Sequence, residues 1–200
     1  MGSNPGFCTP SIVSEHAEAL YNYWLTQRGK TVVPARTVID PTAISDLLPW
    51  IHLLDHKADG SFGWRLMGTE LAAFFGRDRT GQAFDPAALP RHDGLFLIVY
   101  TAIGDQPCGA VVRCLARMTS GRVVTMETLA LPLLDDVGRA TRIIAYSEVL
   151  GLGRRELQRF GCFVDLTIQR LDFFDIGAGK PPGGVSWRSS IPSGRATSPK

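Results

Sequence analysis

Two charged side chains in this sequence stand inside apolar segments that have the pattern of β-strands. Arg65 lies within residues 62–67 and Glu127 within residues 122–133. An unpaired ion in a protein interior is costly, so each side chain either faces solvent, pairs across strands or anchors a ligand. The planar guanidinium of Arg65 would suit a carboxylate or a phosphate group.

The four histidines do not suggest one shared site. His52 and His56 are four residues apart on a predicted strand, which is about 13 Å and too far for one metal ion. His16 is expected on the surface of a helix. His92 begins another predicted helix, where a neutral imidazole could ligate haem iron, but its charged neighbours favour an exposed residue.

The sequence contains no further signal for catalysis. No nucleophile elbow, P-loop or Rossmann glycine pattern is present. The four cysteines contain no C-x-x-C pair, which argues against a zinc site and a redox dithiol. We therefore expect a protein that is not an enzyme, with no catalytic and no metal-binding residues. The sequence does not identify a cofactor.

Composition and charge indicate a folded domain. The chain has 200 residues, of which 44% are hydrophobic and 20% are charged. Without residues 177–200, it has 17 basic and 19 acidic residues, which argues against nucleic acid as a partner. No apolar run approaches the roughly 20 residues that span a bilayer, and the first ten residues do not resemble a secretion signal. We expect a cytoplasmic protein with no membrane partner.

The first periodic segment predicts an amphipathic helix over residues 14–28. Ser14 can cap its start and Gly29 can end it. Leu20, Tyr21 and Trp24 fall on one apolar stripe of this helix.

The later segments predict an α+β domain with an antiparallel sheet and helices on one face. In the second strand Phe62, Trp64 and Leu66 are expected to share one face. Ile98 is expected on the inner side of the longest later helix. The predicted elements, in order, are a short helix after residue 41, strands at 51–56 and 62–67, helices at 69–75 and around 95–103, and strands at 110–118, 122–133 and 142–150.

A series of short motifs between residues 20 and 150 resembles a bacterial family of short single-PAS-domain proteins. The motifs include LYNYW at 20–24, WRLMGTE at 64–70, GRD at 76–78 and LPL at 131–133. The resemblance implies a five-stranded antiparallel PAS sheet that cups a small cavity, preceded by an N-terminal helix. It also implies a role in signal transduction and no catalytic residues.

On this fold, the predicted function is a sensory domain that binds an unidentified small molecule and signals through protein contacts. The predicted ligand site lies between the sheet and the later helices. Its expected residues are Arg65, Leu71, Phe75, Leu95, Val99 and Glu127.

Two alternatives remain at this point. In the first, the chain is a ligand-free interaction module. In the second, it is a small cone-fold enzyme similar to an isomerase, for which no acidic base opposite a tyrosine can be placed. In the sensory domain or the module, Leu20, Tyr21 and Trp24 would contact a partner protein or form a homodimer. The same stripe could instead lie on the sheet of its own domain.

The expected organisation has five parts. They are a flexible N-terminus at 1–13, an N-terminal helical segment at 14–49, a PAS core at 50–151, a C-terminal extension at 152–176 and a disordered tail at 177–200. The tail is predicted to be disordered because it contains five Gly, four Pro and five Ser.

Overall fold

The computed structural model describes residues 10–84, 93–181 and 187–188. Four α-helices lie within these ranges: α1 (Glu15–Arg28), α2 (Thr69–Phe75), α3 (Asp93–Asp105) and α4 (Arg154–Gln158). Two 3₁₀ segments, Arg36–Val38 and Pro41–Trp50, follow α1. The strands are β1 (Ile51–His56), β2 (Phe62–Met67), β3 (Gly109–Met118), β4 (Val123–Leu133), β5 (Arg142–Val149), β6 (Phe163–Phe174) and β7 (Trp187–Arg188).

All the strands belong to one antiparallel sheet with the order β2-β1-β5-β4-β3-β6-β7. The first five strands in this order are the five that the sequence predicted, so the predicted fold class is confirmed. The sheet is larger than predicted, because β6 pairs along the whole of β3 and the two-residue β7 pairs with β6.

Helical segments cover both faces of the sheet, whereas the sequence predicted helices on one face. The inner face packs against α2, α3 and α4, and the outer face packs against α1 and the second 3₁₀ segment. The reason is visible in β4, where Met126 and Ala130 belong to the inner core and Leu129, Leu131 and Leu133 belong to the outer core. A sheet that is apolar on both faces must be covered on both.

The N-terminal helix α1 lies on the outer face of its own sheet. Ser14 caps it by accepting a hydrogen bond from the Ala17 amide at 3.0 Å. Leu20 and Trp24 are fully buried, and the Trp24 indole nitrogen donates to the Pro132 carbonyl oxygen at 2.9 Å. Leu20 and Trp24 therefore cannot form the predicted homodimer or partner surface, because the chain covers them itself, whereas Tyr21 is half-buried. Dimerisation itself remains a prediction. Tyr21 packs edge-on against Phe174 with ring centroids 5.6 Å apart.

A β-bulge changes the predicted alternation in β2. Leu53 pairs with Leu66 and Leu54 pairs with Trp64, so Arg65 is the extra residue. Trp64 points into the inner core, whereas Leu66 faces outward with 39% of its surface exposed. The prediction that Trp64 and Leu66 share a face is wrong because the bulge inverts the facing between them.

The buried side of α3, the longest helix on the inner face, agrees with the prediction at Val99 and Ile103 but not at Ile98. Phe96, Val99, Tyr100 and Ile103 are buried, whereas Ile98 is 54% exposed. Ile98 therefore does not contribute to the core.

The predicted disordered tail lies mostly outside the described residues, and the predicted part boundaries remain predictions. Within the tail, the backbone of residues 187–188 pairs with β6. In the part of the chain that the structure describes, no helix is both long enough and apolar enough to cross a membrane.

Candidate ligand site

A small cavity lies between the inner face of the sheet and the helices α2 and α3. Its volume is about 20 Å³, which is room for about one water molecule. Strands β1, β2, β4, β5 and β6 form its floor. The lining residues are His52, Trp64, Leu71, Phe75, Phe84, Phe96, Tyr100, Met126, Thr128, Ser147 and Leu166.

His52 is the most unusual residue of this cavity. It lies on β1 and is buried, with its Nε2 atom 3.3 Å from the Tyr100 hydroxyl oxygen. Its Nδ1 atom has no hydrogen-bond partner among the described residues. Burial lowers the pKa of His52 from 6.5 to about 3, so the imidazole is neutral at physiological pH. A neutral imidazole offers one donor and one acceptor.

Two hydroxyl groups lie on the neighbouring central strands. Thr128 on β4 and Ser147 on β5 are directly opposite each other, with their oxygen atoms 2.7 Å apart. Both residues are buried. One hydroxyl donates to the other, which leaves one O–H group for another acceptor.

Aromatic rings surround these polar groups. The Trp64 ring centroid lies 5.4 Å from that of His52, 5.4 Å from that of Phe84 and 6.0 Å from that of Phe75. Tyr100 packs edge-on against Phe84 at 5.6 Å. Burial raises the pKa of the Tyr100 hydroxyl above its usual value. The site is therefore an uncharged aromatic pocket with a few polar atoms on one side.

Two of the predicted site residues lie in this cavity. Leu71 and Phe75, both on α2, line it. Val99 on α3 is fully buried in the same core but does not line the cavity. Leu95 lies on α3, and its side chain is outside what the structure describes.

The two charged residues of the prediction lie elsewhere. Arg65 is half exposed at the bulge in β2 and forms an ion pair with Asp55 at 3.3 Å. Glu127 is fully buried on the outer face of β4. Neither contacts the cavity.

Glu127 instead fixes the start of α1 to the sheet. Its carboxylate accepts hydrogen bonds from the amides of Val13 and Ser14, both at 2.9 Å. It also accepts one from Nε of Arg113, its cross-strand neighbour on β3, at 2.7 Å. The cross-strand pair that the sequence left open is therefore the arrangement observed.

Four polar residues that line the cavity were not predicted as site residues from the sequence: His52, Tyr100, Thr128 and Ser147. The sequence does carry a signal for His52, Thr128 and Ser147. Each is a polar residue in a strand, at a position where alternation predicts a side chain that faces the core. Pairing across strands was needed to show that they converge.

Metal ligands do not cluster in the part of the chain that the structure describes. His56 stacks on Phe62 with ring centroids 4.4 Å apart. Cys108 and Cys114 are buried, and burial raises the pKa of each thiol to about 12. His92 and Cys8 lie outside the described residues.

Comparison with known proteins identifies the family. The family model described as PAS domain matches residues 12–146, and the chain belongs to this family. The match supports a sensory or regulatory domain. No curated protein matches the chain by sequence.

Two solved structures are similar in fold to part of the chain. One is the VqmA dimer of Vibrio cholerae in the absence of target DNA, described in relation to the DNA-binding mechanisms of LuxR-type receptors. It is 11% identical, with a TM-score of 0.41 over 56% of this chain and 52% of that one. The other is VqmA bound to DPO, 13% identical, with a TM-score of 0.40 over 59% of this chain and 58% of that one. The chain thus matches little more than half the length of these proteins.

These structures correct one prediction made from charge. The charge of the sequence was taken to exclude nucleic acid as a partner, but the VqmA structure is described in relation to target DNA and DNA binding. The exclusion of nucleic acid as a partner is therefore withdrawn. Likeness at this level does not assign DNA, or any ligand, to this chain.

Proposed function

We propose that this chain is a non-catalytic sensory PAS domain that binds a small molecule in the inner cavity beside His52. The observation that carries the proposal is the unpartnered Nδ1 atom of His52, buried in a cavity that Tyr100, Thr128 and Ser147 also line. A buried polar atom without a partner is costly. A ligand atom at this position would remove that cost.

The lining favours an uncharged and planar ligand. None of the lining side chains is charged while His52 is neutral. A charged ligand would therefore be desolvated without compensation. An aromatic heterocycle with at least one acceptor and one donor would stack among Trp64, Phe75 and Phe84 and bond to the polar groups.

The ligand must enlarge the cavity as it binds. A volume of about 20 Å³ is far below the roughly 300 Å³ of a typical small-molecule site. Some lining side chains come from outside the sheet strands and can move without breaking strand pairing; they are Leu71, Phe75, Phe84, Phe96 and Tyr100.

Two adjacent residues of β4 connect the inner cavity to the outer face of the sheet. Thr128 lines the cavity, and the residue before it, Glu127, holds the start of α1. Adjacent residues of a strand face opposite sides, so a ligand that displaces Thr128 also disturbs this contact. A partner protein that recognises the α1 region would sense the change. Cytoplasmic localisation remains a prediction.

The second candidate function is a ligand-free interaction module. The small volume of the cavity favours it, since the aromatic side chains already fill the interior. In this case His52 and the hydroxyl pair would hold one water molecule and have only a structural role.

Native mass spectrometry of the full chain, purified from its own host, distinguishes the two. The sensory proposal predicts a bound molecule that is released on unfolding. It also predicts that His52→Phe loses this mass, whereas His56→Phe, a matched change on the same strand outside the cavity, retains it. Absence of any bound molecule, with no ligand recovered from host extract, would support the ligand-free module.

A further inference from the structure

A second apolar opening, much larger than the inner cavity, lies on the outer face of the sheet. A groove of about 360 Å³ lies between the second 3₁₀ segment and the outer face of β1 and β2. This volume falls within the range of about 300–1,000 Å³ for small-molecule sites. Its walls include Ile44, Leu48, Leu53 and Ile144.

The local sequence explains why this groove remains open. Proline occurs at residues 41 and 49 of the 3₁₀ segment, and Ile44 has non-helical backbone angles (φ −127°, ψ 29°) that kink it. Near the end of the 3₁₀ segment, the backbone of Gly68 packs closely against that of Leu48. A Cβ atom at Gly68 would be 2.3 Å from the Leu48 carbonyl oxygen. The segment is therefore fastened at this end and bent in its middle, which leaves space above the sheet.

Arg36 is the charged residue of this groove. Its Nε atom is buried and has no hydrogen-bond partner among the described residues. Its Nη1 atom donates only a long hydrogen bond of 3.4 Å to the Ile39 carbonyl oxygen. Among the described residues, no acidic side chain lines the groove. A guanidinium with spare donors beside an apolar surface binds a carboxylate well, because the two groups match in charge and in planar geometry.

We propose that this groove binds an amphipathic monocarboxylate of the fatty-acid class. Its carboxylate pairs with Arg36, and its hydrocarbon chain lies over Ile44, Leu53 and Ile144. The exposed side chain of Leu66, which also lines the groove, covers part of the ligand's hydrocarbon chain. This site is separate from the inner cavity, on the opposite face of the sheet.

Calorimetry with decanoate, below its micelle-forming concentration, tests this inference on the full chain. We expect a Kd of about 1 mM or tighter. Arg36→Gln should weaken decanoate binding by about tenfold or more, the usual effect of losing a charge-assisted hydrogen bond. Arg65→Gln is the matched control, because Arg65 is a nearby arginine that is paired with Asp55 and lies outside the groove. It should bind decanoate like the wild type.

Two further measurements identify the position and the chemistry. Decanol, which has the same chain without the charge, should bind wild type and Arg36→Gln equally. Leu66→Trp should weaken both decanoate and decanol by obstructing the groove, and it tests the site even if Arg36→Gln does not fold. Decanoate binding should be unchanged in His52→Phe, so the test is independent of the inner cavity.

The inference is overturned if decanoate does not bind, or if Arg36→Gln and Arg65→Gln weaken it equally. Loss of binding in His52→Phe with retention in Arg36→Gln would place the carboxylate in the inner cavity instead. Sedimentation that shows a dimer broken by Leu66→Trp, without decanoate binding, would make the groove a contact between two copies of the chain.

Discussion

The imidazole Nε2 atom of His52 lies 3.3 Å from the hydroxyl oxygen of Tyr100, which links the sheet to helix α3 across the inner core. This contact joins two side chains that are both buried and both uncharged at physiological pH. The other ring nitrogen of His52 is buried without a hydrogen-bond partner among the described residues, and His52 lines the cavity.

The first prediction concerns pH. The folded state holds the pKa of His52 at about 3, below its ordinary 6.5, so only the unfolded chain gains this proton between those values. The contribution of His52 to stability is therefore fully present above pH 6.5 and is lost as the pH falls towards 3. The slope is about 1.4 kcal/mol per pH unit.

Urea unfolding at several pH values between 4.5 and 7 measures this slope. His52→Phe should remove it, whereas His56→Phe should leave it in place. A wild-type slope equal to that of His52→Phe would show that His52 is protonated in the folded protein.

The second prediction concerns the hydroxyl pair. Thr128→Val leaves the buried Ser147 hydroxyl without its 2.7 Å partner and should cost about 1–3 kcal/mol, as should Ser147→Ala. The double variant removes both polar groups and should be less destabilised than the sum of the two. Additive costs in the double-mutant cycle would show that the two hydroxyls do not act as a pair.

The third prediction concerns the attachment of α1 through Glu127. Glu127→Ala leaves the Nε atom of Arg113 and two amides without their acceptor and should lower the free energy of unfolding by about 3–5 kcal/mol. The comparison is Arg65→Ala, which breaks a surface pair and should cost under about 1 kcal/mol. If Glu127→Ala and Arg65→Ala lower the free energy of unfolding equally in denaturant, Glu127 stabilises the fold no more than a surface ion pair does.

The fourth prediction replaces the dimer expected from the sequence. Trp24→Ala removes a fully buried side chain between α1 and the sheet and should cost about 3–5 kcal/mol. The exposed Asn22→Ala on the same helix should change stability by less than about 0.5 kcal/mol. Sedimentation velocity should give the same mass for both variants and the wild type. A wild-type dimer that Trp24→Ala converts to a folded monomer would contradict this.

Periodicity was sufficient for most of the fold. The bounds of β1 and β2 agree with those predicted, since Gly, Pro and Asp residues bracket clear apolar runs. The facing of Leu66 could not be predicted, because a one-residue bulge depends on pairing with β1 and leaves no local signal. The addition of β6 beside β3 also depends on distant pairing.

The candidate site was less predictable for a related reason. Arg65 and Glu127 were selected because charge inside an apolar strand is conspicuous, but one is at a bulge and the other holds α1. The residues that converge in the cavity, such as His52 and Ser147, are moderately polar and come from separate strands. These residues lie close together because of the order of the strands in the sheet, and the pattern within a single strand does not predict that order.

The ¹⁵N NMR signals of the His52 ring nitrogens in the full chain test the inner cavity most directly. The spectrum is recorded before and after addition of small-molecule extract from the host. If the cavity binds a small molecule, the Nδ1 signal of His52 shifts on addition, because this atom acquires a hydrogen-bond partner. The His56 signals should stay in place. Unchanged His52 signals, in an extract that shifts signals elsewhere in the protein, would contradict the assignment of the inner cavity as the sensory site.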